Sequence, residues 1–128
     1  MTERQTLHVA GFSHKNPIPA AARKGPLLQS GLINGMDPAT GKMGEGLEAQ
    51  CALMFQQVRS VLAAGGGTPD DLVRMTVWLQ DFTQRGPLNE QWLAMFPDAQ
   101  RRPARVTLQA AGLTTGILVQ CEITAWID

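Results

Sequence analysis

The chain has 128 residues, with 11 Lys/Arg against 11 Asp/Glu and a formal net charge of zero. That length fits one domain with one core, and residues 1–128 are read as a single domain with no room for a separate regulatory half. Electroneutrality removes the field that draws a protein onto nucleic acid or an anionic membrane, and no apolar run approaches the roughly 18 residues of a spanning helix, so a cytoplasmic protein with a small-molecule partner is expected.

Residues 6–10 (TLHVA) are rich in strand formers, and the polar stretch 13–24, with Pro17 and Pro19, reads as an extended loop. Residues 26–34 (PLLQSGLIN) form a second predicted strand. Asp37-Pro38-Ala39-Thr40-Gly41 then makes a tight turn, because Asp opens it, Pro presets φ and Gly accepts a positive φ. From Leu47, the apolar residues Cys51, Met54, Val58, Val61 and Leu62 recur at spacings of three and four, which predicts an amphipathic helix of about four turns. Glu45 and Glu48 suit its positive end, and Gly65-Gly66-Gly67 stops it. That glycine triplet follows a helix instead of preceding one, so it is a C-cap and not a phosphate cradle.

Thr68-Pro69-Asp70-Asp71 resembles a capped single turn. Val73, Met75, Val77 and Leu79 alternate with Arg74, Thr76, Trp78 and Gln80, the period of a third strand. A second helix begins near Pro87, buries Leu88, Trp92 and Met95, and ends before Pro97. After a loop at 100–103, residues 105–110 and 117–126 supply two final strands. In the last of these Val119, Cys121, Ile123 and Ala125 share one face and Leu118, Gln120, Glu122, Thr124 and Trp126 the other. The order β-β-α-β-α-β-β predicts an α+β domain, one mixed sheet with two helices on one face. Cys51 and Cys121 lie inside apolar-periodic segments, which predicts two buried thiols in a reducing compartment and not a disulfide.

The sequence lacks Cys/His pairing at metal spacing, a phosphate-binding loop and a nucleophile elbow, so neither a metal nor a cofactor is expected. His8 and His14 have no further ligands near them and receive no role. Glu122 is the lone charged residue of its strand, so it faces solvent, pairs with a cation, or sits in a pocket. Arg105 opens the preceding strand after Pro103-Ala104. Its guanidinium suits a two-pronged grip on a carboxylate; the other readings are a solvated cation beside Arg101 and Arg102, or an ion pair with Glu122.

Pro103-Ala104-Arg105-Val106-Thr107-Leu108, then Ala111, Leu113 and Glu122-Ile123, resemble the C-terminal signature of the Rid (YjgF-type) family of reactive intermediate deaminases. Ser30-Gly31, the 37–41 turn, Gln50, Thr76-Val77-Trp78-Leu79 with Asp81, and Asn89 with Phe96 fall in the order and spacing of that family, so the resemblance covers nearly the whole chain. It implies a chorismate-mutase-like fold, a homotrimer whose sheets form a barrel with the helices outside, and sites in the clefts between subunits. It further implies that Arg105 binds a substrate carboxylate, that Glu122 holds the water attacking an imine carbon, that Thr107 and Gly31 line the site through their backbones with Ser30 beside them, and that no cofactor is used. The implied reaction is hydrolysis of 2-imino acids, derived from enamines such as 2-aminoacrylate, to 2-oxo acids and ammonia. The sequence departs from the family's pattern in having no tyrosine for the N-terminal loop, Thr107 where many members have cysteine, and Cys121 in place of a branched aliphatic residue.

Three other functions fit the same resemblance. One is a deaminase of the 2-aminomuconate type; another is a trimer that binds a small carboxylate without turnover. The third, ribonuclease or translation-inhibitor activity, is disfavoured by neutrality and by a single tight basic cluster at Arg101, Arg102 and Arg105.

Overall fold

The computed structural model describes residues 3–12 and 14–128, and in it the period-two segments of the sequence combine into one seven-stranded mixed sheet. Its elements are β1 (Gln5–Leu7), β2 (Ala21–Lys24), β3 (Leu27–Ser30), β4 (Ile33–Asn34), α1 (Gly46–Ala64), β5 (Leu72–Leu79), α2 (Gly86–Met95), β6 (Ala104–Gln109) and β7 (Val119–Trp126). The strands lie in the order β1-β2-β3-β7-β5-β6, with β4 also paired to β7. Only β5 and β6 are parallel, joined through α2; the other pairings are antiparallel. The α+β architecture read from the sequence is therefore present, with two more strands than expected.

One extra strand is β2, which falls in the expected loop 13–24; the Ser13 end of that loop lies outside the described residues. Ala-Ala-Arg-Lys carries little strand propensity, but β2 is paired on both sides, to β1 and β3, and pairing overrides propensity. The other arises because residues 26–34 do not form a single strand. Leu28 pairs with Ala125 and Gln29 with Thr124, whereas Ile33 pairs with Cys121, a slip of one residue. At the step, Ser30 Oγ accepts the Ile123 N–H at 2.8 Å and the Gly31 N–H turns away to Ala20 O at 2.9 Å. A one-residue slip flips the alternation, so Leu28 and Ile33 are both buried while Leu32 is exposed. The first strand is also shorter than the expected 6–10, ending at Leu7.

The core lies between the sheet and the two helices, which pack against each other on one face. Cys51, Met54, Val58, Val61 and Leu62 of α1, Leu88 of α2, and Val119, Cys121, Ile123 and Ala125 of β7 are all buried in it, as their spacing predicts. Trp92 and Met95 are half-buried at its edge. Val73 departs from the alternation of its strand. The pairing of β5 with β7 slips between Leu72 and Arg74, so Val73 is the extra residue of a bulge and is 52% exposed. Burial pushes the Cys51 thiol up to about 12, and raises Cys121 as well, so both cysteines are neutral core side chains. Among the described residues, no helix is long and apolar enough to cross a membrane.

The end of α1 shows its cause in the backbone. The Gly66 N–H reaches Ala63 O and the Gly67 N–H reaches Leu62 O, the paired bonds of a Schellman motif, with Gly66 at φ +83°. Arg23 of β2 closes over this end: its guanidinium donates to Gly65 O, to Gly25 O at 2.9 Å and to Ile127 O at 3.3 Å. Gly66→Ala is expected to lose about 1–2 kcal/mol of stability, since a side chain in the left-handed region meets its own carbonyl. A lower urea midpoint at unchanged slope checks this, and an unchanged midpoint contradicts it.

Candidate active site

Arg105 lies on the edge strand β6 and pairs with Met75 of β5, while Thr107 pairs with Val77. Met75 and Val77 are core residues, so Arg105 and Thr107 project toward the helix side of the sheet, where α2 meets Arg105. There the Arg105 Nη2 donates to Asn89 Oδ1 at 2.7 Å, and its Cζ stands 4.9 Å from the centre of the Trp92 ring. Trp92 is itself steadied edge-on by Phe96 at 4.8 Å. Asn89 and Trp92 are three residues apart on α2, so both reach the same face. The guanidinium is thus fixed by a hydrogen bond and a stacking surface, and its buried Nη1 has no partner among the described residues.

A buried N–H without an acceptor is costly, and a carboxylate laid against Arg105 would supply one. Burial, and then the nearby Arg85 guanidinium, hold the Arg105 pKa below its ordinary value. Among the described residues no carboxylate offsets this. Glu122 pairs with Thr76 of β5, one position out of phase with Met75, and alternates with the core residues Cys121 and Ile123. Its side chain therefore projects from the opposite face of the sheet, and β5 lies between β6 and β7. The ion pair with Arg105 that the sequence left open does not form within the chain.

The structure consequently sorts the expected site residues into two groups. Arg105 stands with Asn89 and Trp92, and Thr107 follows two residues along on the same face of β6. Ser30 stands beside the Glu122 segment, its hydroxyl accepting from the Ile123 N–H and donating to Gly31 O at 2.8 Å. Ser30 is buried and its hydroxyl is used in holding β3 to β7, so it positions this half of the site and has no free hydrogen to offer a ligand. The Gly31 N–H is likewise engaged, with Ala20 O. A Cβ added at Gly31 would make only ordinary contacts, at 3.6 Å and 3.7 Å, so packing within the chain does not demand glycine there.

Asn89, Trp92 and Arg85 received no functional role from the sequence; the one available signal was an asparagine on the face of α2 that carries Trp92. His8 and His14 are exposed, and no group of three metal-binding side chains is assembled among the described residues. A cavity of ≈ 470 Å³ lies under the N-terminal segment, walled by Phe12, Lys15, Leu32, Met36 and Gln57 among others; it is bordered by none of Arg105, Thr107 or Glu122.

Comparison with known proteins supplies the context for these two groups. Residues 14–127 match the family model described as Endoribonuclease L-PSP. A RutC family protein of Aquifex aeolicus is 33% identical over 117 residues, covering 87% of this chain and 93% of that protein. The 2-iminobutanoate/2-iminopropanoate deaminase of Salmonella typhimurium is 28% identical over 100 residues, 77% of each chain. The crystal structure of RidA from an Antarctic Psychrobacter superposes with a TM-score of 0.88 at 28% identity, covering 96% of this chain and 99% of that one.

Proposed function

Because the chain belongs to the endoribonuclease L-PSP family, which takes in the RutC and Rid (YjgF-type) proteins and has their α+β fold, we propose that it hydrolyses 2-imino acids to 2-oxo acids and ammonia. The observation that carries the reading is Arg105: a guanidinium oriented by Asn89 and Trp92, with its buried Nη1 group lacking an acceptor among the described residues. A 2-imino acid offers a carboxylate for that N–H and, one bond away, a C=N carbon open to water. Fixing the carboxylate places the reacting carbon, and proximity supplies much of the acceleration. Glu122 takes one proton of the attacking water as the C–O bond forms and the C=N π pair moves to nitrogen, and passes that proton to the nitrogen; it then takes the hydroxyl proton of the tetrahedral adduct and passes that on too, so that C=O forms as the C–N bond breaks and ammonia leaves.

Arg105 and Glu122 point from opposite faces of one sheet, so this chemistry requires Glu122 from a second copy. The open face supports such an assembly. It carries Leu27 and Trp126, paired across β3 and β7, together with Leu108 of β6, all 42–52% exposed, and the bulged Val73 adds to the exposed apolar surface. Apolar surface grouped in this way favours burial against another chain. A homotrimer with the sheets inside and the helices outside covers this face and forms the sites between subunits. Sedimentation equilibrium at micromolar concentration is expected to report three chains, and a stable monomer removes the intersubunit site. The family's name includes an RNA-cleaving activity, but the neutral charge of this chain weighs against an RNA partner.

Ammonia release from freshly generated 2-iminopropanoate and 2-iminobutanoate tests the proposal directly. Acceleration over the spontaneous rate, stoichiometric with 2-oxo acid, is the expected result. Binding of the 2-oxo acids without acceleration would leave a carboxylate-binding protein and remove the enzyme.

A further inference from the structure

We infer that Thr76 is a positioning residue for the attacking water, its hydroxyl holding that water against Glu122. This rests on the deaminase reading and adds to it a residue on which the rate depends and the grip on the carboxylate does not.

The register of β5 puts Thr76 beside the carboxylate. Thr76 pairs with Glu122 of β7 on one side and with Val106 of β6 on the other, so Val106, Thr76 and Glu122 form one row across the open face of the sheet. Residues directly opposite on antiparallel neighbours hold their Cβ atoms about 4.5–5.5 Å apart. The row ends at Glu122. On its far side β7 pairs through Thr124 with Gln29 of β3 and through Cys121 with Ile33 of β4, and Glu122 falls at the break between them, where no residue is registered against it. Within the chain, Thr76 is therefore the one residue directly opposite Glu122.

The Thr76 hydroxyl is also uncommitted. Thr124 Oγ1, two positions along the strand from Glu122, donates to Gln29 Oε1 at 2.6 Å, and the Ser30 hydroxyl is used up between Gly31 O and the Ile123 N–H. Thr76 Oγ1 enters no hydrogen bond among the described residues, although Thr76 is only 7% exposed. A hydroxyl without a partner at that depth costs stability, whereas valine fills the same shape in a strand with no polar group to satisfy. A water bridging Oγ1 and the carboxylate offsets the cost.

Such a water has both of its hydrogens assigned. Glu122, an acceptor when ionised, takes one as a proton, and Thr76 Oγ1 accepts the other as a hydrogen bond. The lone pairs of the water are left to face the C=N carbon. Thr76 stays neutral and transfers no proton, because the hydrogen it holds remains on the hydroxyl of the tetrahedral adduct until Glu122 removes it. Orienting the nucleophile acts on the chemical step, so it is felt in kcat and not in the hold of Arg105 on the carboxylate.

The test compares wild type, Thr76→Val, Thr76→Ser and Glu122→Gln in ammonia release from freshly generated 2-iminobutanoate and in calorimetric binding of 2-oxobutanoate. Thr76→Val exchanges the hydroxyl for a methyl at nearly constant shape, and is expected to lose on the order of tenfold in kcat while keeping KM and the affinity for 2-oxobutanoate. Thr76→Ser keeps the oxygen and is expected to recover most of the rate. A role confined to packing gives the reverse order, with valine active and serine impaired. Wild-type kcat in Thr76→Val overturns the inference, as do equal losses in the two variants, a loss carried by KM, or a lowered urea midpoint in Thr76→Val, which would mark the hydroxyl as already partnered in the fold. If the wild type releases no ammonia above the spontaneous rate, or Glu122→Gln is fully active, the deaminase reading falls as well. If the wild type is active, Glu122→Gln is not, and Thr76→Val matches the wild type, only the assignment of Thr76 fails.

Discussion

Arg105→Ala is expected to abolish measurable carboxylate binding while leaving the fold intact, and Glu122→Gln to bind normally and lose turnover. Truncating one partner of a desolvated charge pair typically costs about 2–5 kcal/mol, which appears in affinity. Losing a general base costs on the order of 10² to 10⁴-fold, which appears in the rate. Arg105→Lys keeps the charge but not the planar fork that lies over Trp92 while reaching Asn89, so it recovers little. Calorimetry and ammonia release on the same variants separate the two roles. The placement of the residues on opposite sheet faces adds a sharper expectation. If each site takes Arg105 from one subunit and Glu122 from the next, randomly mixed trimers of the two inactive variants regain about a quarter of wild-type activity, because that fraction of clefts pairs the two intact residues. No recovery on mixing, with mixed trimers demonstrated, would place the reacting groups within one chain.

Gln50→Leu is expected to destabilise the fold by about 2–4 kcal/mol, since it removes three partly buried hydrogen bonds each worth roughly 0.5–1.5 kcal/mol. Gln50 is 2% exposed on α1 and uses its whole amide: Nε2 donates to Gly44 O at 2.9 Å and to Gly116 O at 2.8 Å, and Oε1 accepts the Leu118 N–H at 2.9 Å. One side chain therefore docks both the segment entering the helix and the connection from β6 to β7. The neighbouring backbone is equally tight, since a Cβ on Gly35 would lie 2.5 Å from Gln50 Cα. Leucine approximates the volume but leaves two carbonyls and an N–H without partners. A thermal or urea midpoint within error of wild type would contradict this account.

How much of this was legible in the sequence depended on whether an element is set by its own periodicity or by its neighbours. α1 and β7 were readable because Cys51 to Leu62 and Val119 to Ala125 each keep one period long enough to fix a buried face. β2 was not, because Ala21–Lys24 becomes a strand through partners on both sides. The break at Gly31-Leu32 and the exposure of Val73 both come from one-residue slips against β7, which no local pattern encodes. Arg105 announced itself by its chemistry in a recognisable signature. Its supports on α2 did not, because Asn89 and Trp92 meet it only when α2 packs over β6. The separation of Arg105 from Glu122 was hidden by chain order, which places their strands in succession while the sheet inserts β5 between them.

The reach of Arg23 has a consequence for how the molecule opens. Its guanidinium gathers carbonyls from the turn after β2, the end of α1 and the residue following β7, the last 104 positions away along the chain. The Ile127 N–H adds a bond back to Pro26 O at 2.7 Å. Strand ends and helix ends ordinarily fray independently, each with its own rate of amide exchange. Here they share one fastener, so the N-terminal hairpin, the glycine-capped helix end and the tail of the last strand are expected to open as one unit and exchange their protected amides together.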